Sequence, residues 1–269
     1  MTSGHEGQST RGTFRIATLN VHEWRDDKGV DSIDRIAQVL KPLDLDILAL
    51  EEVSNESTLK ILSSKIGLTH YLFCEADVYH GNAVLSKQQI SSSKKARIGI
   101  GLNDVRSILQ VVVDHEFMLD NAASLSVTHL DHASEEVRIE QLETFHEDIL
   151  SNYSNKVQIV VGDFNSLTLD DYSPKYLEQI AAVRRKTDWE IPKENATLWM
   201  KKKNFVDVLK QSNKHCLDEE LKTCRFNTRV DYIFLRGELK EGWSLSDCKI
   251  LSSGAATDHE IVMATFCKH

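Results

Sequence analysis

Short apolar runs separated by polar residues recur along the chain, and the clearest of them is Val-Gln-Ile-Val-Val at 157–161. β-Branched residues followed by a glycine, here Gly162, are typical of a buried strand that ends at that point. Asp163 and Asn165 follow, and residues two apart on a strand point to the same face. The pattern predicts a strand that delivers a carboxylate and an amide to one sheet edge. An Asx turn that merely closes the strand is the alternative.

Similar runs predict further strands, several of which end in polar residues. Apolar alternation or continuity indicates strands at 14–20, 46–53, 71–74, 82–86, 97–100, 107–113, 125–132, 224–235 and 261–266. The strand at 46–53 ends with two adjacent acids, Glu51 and Glu52. Neighbouring strand residues point to opposite faces, so we expect only one of this pair to face a shared site. Asp231 is predicted to lie in the middle of the strand at 224–235.

Helical periodicity fills the intervals between these strands. Apolar stripes at the spacing of a helix occur at 31–40, 59–66, 135–149, 175–186 and 196–211. Ser134 and Ser173 are suited to cap helix N-termini, Pro174 suits a first helical position, and Gly67 suits a helix end. Strands and helices are spread over both halves, without internal repeat or linker. We therefore predict one α/β domain at 13–269, with stacked sheets and outer helices, after a flexible polar tail at 1–12.

Composition limits the class of protein. A formal net charge of −9 argues against a protein that coats long nucleic acid, but not against an enzyme that binds one phosphate through a cation. No run approaches the ~18 apolar residues that cross a bilayer, and the N-terminus lacks the apolar core of a secretory signal. The 5 scattered cysteines favour reduced thiols over a metal site and an intracellular location, cytoplasmic or nuclear.

Polar and titratable residues collect at the ends of the predicted strands. Carboxylate and amide oxygens without thiolates are hard ligands that suit Mg²⁺ or Mn²⁺ better than zinc. A histidine beside an acid indicates an oriented imidazole for proton transfer or phosphate contact. Each residue alone would more often be an ordinary surface or turn residue, but their repetition favours a site. The set comprises Asn20, Glu52, His129, Asp163, Asn165, Asp231, Asp258 and His259.

Six short motifs carry a resemblance to the endonuclease/exonuclease/phosphatase superfamily, which includes enzymes like pancreatic deoxyribonuclease and apurinic endonuclease. They appear in that family's order: Thr-Leu-Asn at 18–20, Leu-Ala-Leu-Glu-Glu at 48–52, Thr-His-Leu-Asp-His at 128–132, Gly-Asp-Phe-Asn at 162–165, Val-Asp-Tyr-Ile at 230–233 and Thr-Asp-His at 257–259. Two positions depart from the family pattern, with Glu51 where many members have Gln and Thr257 where Ser is usual. The resemblance implies a four-layer α/β/β/α sandwich of two mainly antiparallel sheets with outer helices.

The resemblance also implies residue roles. Glu52 would be the main Mg²⁺ ligand, with Asn20 beside it and Asp258 completing or adding a metal position. Asp163 would orient or deprotonate the attacking water, and Asn165 would bind the phosphate. Asp231 would hold His259 in one tautomer against the phosphoryl group, and His129 would contact a second oxygen or assist the leaving group. Asn20, His132 and Arg138 would help to bind substrate, although His132 could equally cap the next helix.

The resemblance leaves the substrate open. We expect a Mg²⁺-dependent phosphodiesterase, monomeric and without a membrane span, that acts on DNA, RNA or a nucleotide end. A lipid or inositol phosphohydrolase is the alternative, and a binding protein with a dead site is a third. Basic residues at 184–203 are either solvated helix faces or a phosphate-facing loop. Trp189 and Trp199 flank them and could stack on a base, although burial is the default for tryptophan.

Overall fold

Two six-stranded sheets form the centre of the protein. The computed structural model describes residues 12–77, 80–99, 105–118, 123–153, 156–213 and 216–269. The first sheet has the strand order β11-β12-β1-β2-β4-β3 and the second β5-β6-β7-β8-β10-β9. Each sheet contains one parallel pair, β1 with β2 and β7 with β8, and the other neighbouring strands are antiparallel. The predicted tail at 1–12 lies outside the described residues except for Gly12.

The strands agree with the apolar runs of the sequence at most positions. The first sheet consists of β1 (Thr13–Asn20), β2 (Ile47–Val53), β3 (His70–Glu75), β4 (Gly81–Ser86), β11 (Trp243–Leu251) and β12 (Ile261–Lys268). The second consists of β5 (Ile90–Ile98), β6 (Arg106–Val113), β7 (Ala123–His129), β8 (Val157–Asp163), β9 (Val206–Asp207) and β10 (Asp231–Arg236).

Four of the described helices pack against the outer faces of the sheets, whereas the helix at 174–186 packs on a cluster that includes Leu167 and Val230, and the helix at 208–212 contributes to the core between the sheets. These helices are α1 (Ile33–Leu40), α2 (Glu56–Ile66), α3 (Glu135–Asp148), α4 (Pro174–Lys186), α5 (Asn195–Lys202) and α6 (Val208–Ser212). The predicted caps are present: Ser134 and Ser173 accept hydrogen bonds from backbone N–H groups of the first turn, and Gly67 ends α2 with φ of 81°. Among the described residues, no helix is both long and apolar enough to cross a membrane.

Three apolar cores separate the four layers. The largest lies between the sheets and includes Ile16, Val111, Ile159 and Phe266. A second core joins the first sheet to α1 and α2, and a third joins the second sheet to α3 and α5. The structure is therefore the α/β/β/α sandwich that the resemblance implied.

Three predicted boundaries were wrong for identifiable reasons. β5 begins at Ile90 and not at 97, because this edge strand presents serines and lysines to solvent and lacks an apolar run. The predicted helix at 196–211 is two helices, α5 and α6, separated by Asn204 with φ of 65° and by the short strand β9. The predicted strand at 224–235 starts only at Asp231, since the preceding residues form a turn in which Asn227 has φ of 56°.

Candidate active site at the meeting edge of the two sheets

Three titratable side chains stand in one row across the edge of the second sheet. His129 is the last residue of β7, Asp163 the last of β8 and Asp231 the first of β10. In the strand register His129 is paired with Asp163, and Asp163 is paired with Asp231. Because β10 runs antiparallel to β8, its start meets the end of β8. The position of Asp231 at a strand start, and not in mid-strand, is what places it in this row.

Gly162 allows this row to form. Its φ is 132°, and a Cβ atom added there would lie 1.9 Å from the carbonyl oxygen of Thr128 on β7. Any side chain at this position would push β7 and β8 apart directly before Asp163. The glycine that marks the strand end in the sequence is therefore also a requirement for the close approach of His129 and Asp163.

Asn20 connects the first sheet to this row. Its Nδ2 donates to Glu52 Oε1 over 3.0 Å and to Asp163 Oδ2 over 3.2 Å. Its Oδ1 accepts a hydrogen bond of 3.0 Å from the backbone N–H of His22, which determines the orientation of the amide. Asn20 therefore holds a carboxylate from each sheet, and its own oxygen is directed to the backbone.

The two adjacent acids of β2 have separate environments. Glu52 has φ of 54°, at an irregularity in the pairing of β2 with β4 between Leu50 and Val53, and its partly exposed carboxylate lies 3.9 Å from His129 Nε2. Glu51 is fully buried and accepts a hydrogen bond of 2.6 Å from Thr18 Oγ1. Burial raises the pKa of Glu51 well above its usual range, and the charges of Asp231 and Asp163 add to the effect despite the bond from Thr18. Burial therefore favours the neutral form of Glu51 beneath the site, and that form has the size and shape of the Gln found in many members of the family.

Asp163 is the centre of the contacts. Its Oδ2 faces Asn20 as described and lies 3.7 Å from His129 Nε2 and 3.8 Å from His259 Nε2. Its Oδ1 accepts a 2.8 Å hydrogen bond from the backbone N–H of Asn165, so the Asx turn is present together with the polar cluster. Burial, reinforced by the charge of Asp231, raises the pKa of Asp163 to about 7. A carboxyl group with this pKa can gain or lose a proton near neutral pH.

His259 is oriented and charged by Asp231. Its Nδ1 lies 2.9 Å from Asp231 Oδ2, within hydrogen-bonding distance. Burial opposes a charge on this imidazole, but the carboxylates of Asp231 and Asp163 outweigh burial and hold the pKa of His259 well above its usual range. His259 is therefore a cation at neutral pH, and both of its ring nitrogens are donors.

His129 meets a donor at each ring nitrogen. Asn165 Nδ2 lies 3.0 Å from Nε2, and Arg106 Nη1 lies 3.3 Å from Nδ1. Burial and then the charge of Arg106 lower the pKa of His129 well below its usual range, so the ring is neutral and has one acceptor nitrogen. The ring accepts from only one of the two donors, but each donor has a further neighbour: Asn165 Nδ2 lies 3.2 Å from the carbonyl oxygen of Leu130, and Arg106 Nη1 lies 3.3 Å from His80 Nε2. Asn165 reaches this ring because its backbone is left-handed, with φ of 49°, and not through the strand alternation expected from the sequence.

Arg106 was not predicted as a site residue. This buried guanidinium lies 3.3 Å from ring nitrogens of His80, His129 and His132. Among the described residues no carboxylate forms an ion pair with it. Its position at the start of β6 is the only signal that the sequence offered, because other strand termini also carry polar site residues.

Two predicted residues are engaged by protein partners. Arg138 is buried and donates to Glu135 and Glu190, each over 2.6 Å, and to the carbonyl of Asp131 over 2.9 Å. Asp258 lies 3.7 Å from His22 Nδ1 and 3.5 Å from Arg225 Nε. Arg138 therefore organises, through its ion pairs, one side of a cleft beside the site, whose lining includes Asn165, Arg184, Trp189, Phe226 and His259.

The basic segment at 184–203 does not form one surface. Arg184 lines the cleft beside His259, whereas Arg185 pairs with Glu178 on the outside of α4. The two tryptophans of this region also differ. Trp199 is buried and its Nε1 donates to Glu143 over 2.6 Å, whereas the Trp189 residue is 44% exposed and lines the cleft.

The carboxylates at the edge are suited to a divalent cation. Ligand atoms of Asp163, Asp231 and His259 lie within 4.8 Å of one another, and Glu52 is close by through Asn20. Burial and then the charge of Asp231 raise the pKa of Asp163, so a nearby cation would favour its ionised form. Oxygen donors with surplus negative charge are the ligands that hard cations prefer.

The sequence matches the Endonuclease/Exonuclease/phosphatase family over residues 17–259. The chain therefore belongs to this family, whose members are hydrolases that act on phosphoester bonds. No curated protein matches the chain significantly.

Solved structures show the same fold at low sequence identity. A family protein from Beutenbergia cavernae is 19% identical with a TM-score of 0.70, over 95% of this chain and 72% of that one. The catalytic domain of human Nocturnin with bound sulfate is 15% identical with a TM-score of 0.64, over 96% of this chain and 98% of that one. ANGEL2, described as a 2′,3′-cyclic phosphatase, is 15% identical with a TM-score of 0.66, over 98% and 99% of the two chains.

Proposed function

We propose that the protein is a Mg²⁺-dependent phosphodiesterase that acts on nucleic acid or on a nucleotide end. The observation that carries this proposal is the row of His129, Asp163 and Asp231 at the edge of one sheet, tied to Glu52 of the other sheet through Asn20. Carboxylates and donors converge there from both sheets. This combination supports hydrolysis of a phosphoester, which needs a base for water and donors for phosphoryl oxygens.

Asp163 and His259 have complementary protonation states for this reaction. Asp163, with a pKa raised to about 7 by burial and by Asp231, accepts a proton from the attacking water. His259 is held as a cation by Asp231 and donates from Nε2 to a phosphoryl oxygen. The two groups face each other across 3.8 Å, so a water on Asp163 would lie beside a phosphoryl group on His259.

The donors around His129 support a phosphoryl ligand. The amide of Asn165 and the guanidinium of Arg106 lie within 3.0 and 3.3 Å of the ring nitrogens. A phosphoryl oxygen only accepts, and it would form a charge-assisted hydrogen bond with such a donor. Asn165 is the nearer of the two to Asp163, since their turn joins them directly.

The metal position of this proposal is at Glu52, with Asn20 and Asp258 in support. Oxygen ligands suit Mg²⁺, with Mn²⁺ as a substitute. Such an ion would neutralise charge on the phosphoryl oxygens and stabilise the leaving oxygen. In its present orientation Asn20 positions Glu52 through Nδ2, and its Oδ1 accepts from the backbone N–H of His22. To contribute Oδ1 to a metal, Asn20 would have to break the bond to His22 or turn its amide and break the bonds to the carboxylates.

A lipid phosphohydrolase is the second candidate, and one observation favours it. Exposed apolar side chains border the cleft on its α4 side, including Val183 with 59% and Phe226 with 49% of its surface exposed. Such residues could contact an acyl chain. One solved structure with the same fold is ANGEL2 in complex with adenosine-2′,3′-vanadate, and this complex favours the nucleotide candidate.

A substrate panel separates these candidates. Labelled single- and double-stranded DNA and RNA, sphingomyelin vesicles and inositol phosphates would be incubated with Mg²⁺ or EDTA, with wild type and Asp163→Asn in parallel. We expect Mg²⁺-dependent cleavage of at least one nucleic acid and its loss in the variant. Inert nucleic acids together with released phosphocholine or inorganic phosphate would reverse the ranking. The absence of turnover on every substrate would support a protein that only binds.

A further inference from the structure

A cleft beside the reactive groups has an outer wall that the proposed chemistry does not use. The cleft contains about 590 Å³ of free space, part of it open to solvent. Asn165 and His259 line it together with Arg184, Trp189 and Phe226, and the last three form this wall. A group attached to a phosphate at His259 would therefore lie in the same cleft as this wall.

Two aromatic rings from separate segments meet at this wall. Trp189 follows α4 and Phe226 lies in the loop before β10, with ring centroids 4.8 Å apart and ring planes inclined by 67°. Both residues remain exposed, Trp189 by 44% and Phe226 by 49%. The other tryptophans, Trp24, Trp199 and Trp243, are all buried. Since a buried aromatic side chain is the favoured state, an exposed pair next to a catalytic cleft indicates a ligand contact.

Arg184 continues the aromatic wall with an unpaired charge. Its guanidinium carbon lies 5.9 Å from the centroid of the Trp189 ring, and its Nη1 donates to the carbonyl of Glu190 over 3.1 Å. Neighbouring Arg138 pairs with two carboxylates, but among the described residues Arg184 forms no ion pair. Burial and the charge of Arg138 lower the pKa of Arg184, as expected for a cation without a compensating anion.

The chemistry of the wall distinguishes between possible occupants. An acyl chain would cover the apolar rings but would also remove water from Arg184 without replacing it, which is unfavourable for a half-buried charge. A nucleobase offers a flat π face for Trp189, Phe226 and the guanidinium plane, and acceptor atoms on its edge. The observed combination of rings and cation therefore fits a base better than a lipid tail.

We infer that this wall, formed by Trp189, Phe226 and Arg184, is the binding site for a nucleobase attached to the phosphate at His259. The inference rests on the proposed function, since it names the group next to the phosphoester. The base stacks on the exposed surface of one ring and meets the edge of the other, because the two ring planes are inclined by 67°. The guanidinium of Arg184, which lies over the Trp189 ring, donates to acceptor atoms on the edge of the base. This subsite makes nucleotides, and not phosphoesters in general, the substrates of the cleft.

A binding comparison tests the subsite without requiring turnover. Adenosine 5′-monophosphate and ribose 5-phosphate share a phosphate and a sugar, and only the first carries a base. Dissociation constants for both would be measured by calorimetry with Mg²⁺ present, for wild type, Trp189→Ala, Trp189→Phe, Phe226→Ala and the control Ile61→Ala. Ile61 is 48% exposed and lies on α2, against the other sheet.

We expect wild type and the control to bind the base-bearing ligand more tightly, by a factor of about 5 to 150 per stacked base. Trp189→Ala and Phe226→Ala should bring the ratio of the two dissociation constants close to one and leave ribose 5-phosphate binding unchanged. Trp189→Phe should retain most of the preference for the base-bearing ligand. Equal binding of both ligands by wild type, or a preference that survives Trp189→Ala and Phe226→Ala, would overturn the inference.

A parallel pair of lipid ligands addresses the other occupant. If dihexanoyl phosphatidylcholine bound more tightly than glycerophosphocholine through Trp189, while the adenosine ligand showed no preference, the wall would be a lipid contact and the inference would be wrong. Failure of the proposed hydrolysis is a separate result. A base preference that depends on Trp189 would support the subsite even in a protein that cleaves none of the tested nucleic acids.

Discussion

Asp163 and Asp231 lie directly opposite each other in the register of β8 and β10, and His259 contacts both carboxylates. The hydrogen bond to Asp231 is short, 2.9 Å, whereas Asp163 lies 3.8 Å from the other ring nitrogen. The same imidazole therefore has one carboxylate that holds it and one that it faces across a small gap. The proposed phosphoryl group and water would react beside this pair, within reach of both Nε2 of His259 and Oδ2 of Asp163.

Asp163→Asn should stabilise the metal-free protein at alkaline pH. The pKa of Asp163 is raised from 3.8 to about 7, so the folded state binds this proton more tightly than the unfolded state. The free energy of unfolding therefore falls as the pH rises through about 7, because the folded protein must then hold a buried carboxylate. An uncharged amide at this position avoids that decrease. Thermal unfolding in EDTA should show a higher Tm for the variant at pH 8 and a smaller gain at pH 5. Asp170→Asn, with an exposed side chain, is the control. An unchanged or lower Tm at pH 8 would contradict the assignment.

Glu51→Gln and Glu52→Gln should have very different effects on activity. Glu51 has a pKa raised well above its usual range by burial and by Asp231 and Asp163, so its neutral form is already close to glutamine in shape and charge. We expect Glu51→Gln to keep activity within about threefold and to gain stability as the pH rises, because the deprotonated form is the costly one. Glu52→Gln should lose most activity and the Mg²⁺-dependent rise of Tm. Similar losses in both variants would show that the two acids share the metal-binding role.

Arg106→Met should raise the pKa of His129 and reduce turnover. Burial and the charge of Arg106 both keep His129 neutral, so removal of the charge relieves part of the effect. Ring ¹H–¹⁵N NMR titration measures the pKa directly, and turnover should fall about tenfold or more, as expected for one lost charged hydrogen bond. Arg97→Met provides the control, since its side chain is 62% exposed. An unchanged His129 titration would exclude this role for Arg106.

Arg229→Met should destabilise the fold. Arg229 is fully buried and donates to Asp171 and Asp207, each over 2.6 Å, next to the start of β10. Removal of the guanidinium leaves two buried carboxylates without this cation, and such a change typically lowers the free energy of unfolding by about 3–5 kcal/mol. Urea unfolding should show this loss, whereas Arg97→Met should stay within about 0.5 kcal/mol. A small effect of Arg229→Met would show that the carboxylates find water or other partners.

The layers and most strands followed from the sequence because apolar periodicity reports burial directly. The element boundaries that were predicted wrongly depend on features other than apolar periodicity. β5 carries Ser91 to Lys95 on an exposed edge, where no apolar pattern is needed. Asn204 interrupts the predicted helix at 196–211 through a left-handed backbone that periodicity does not encode.

The site was predictable where polar residues end apolar strands, as at Asn20, His129 and Asp163. The site was less predictable where tertiary contacts determine which side chains meet. Arg106 had no partner in its own segment, and its neighbours are three histidines from other elements. Trp189 and Phe226 come from separate segments, so no local pattern reveals that their rings meet.

The central claim is that Asp163 and His259 act together in metal-dependent phosphodiester hydrolysis. Cleavage rates of a labelled oligonucleotide with Mg²⁺ or EDTA, for wild type, Asp163→Asn, His259→Ala and the surface control Asp170→Asn, test it most directly. We predict Mg²⁺-dependent cleavage by wild type and control, and a loss of about 10²- to 10⁴-fold in both site variants. Wild-type rates in Asp163→Asn and His259→Ala, or equal cleavage in EDTA, would contradict the claim.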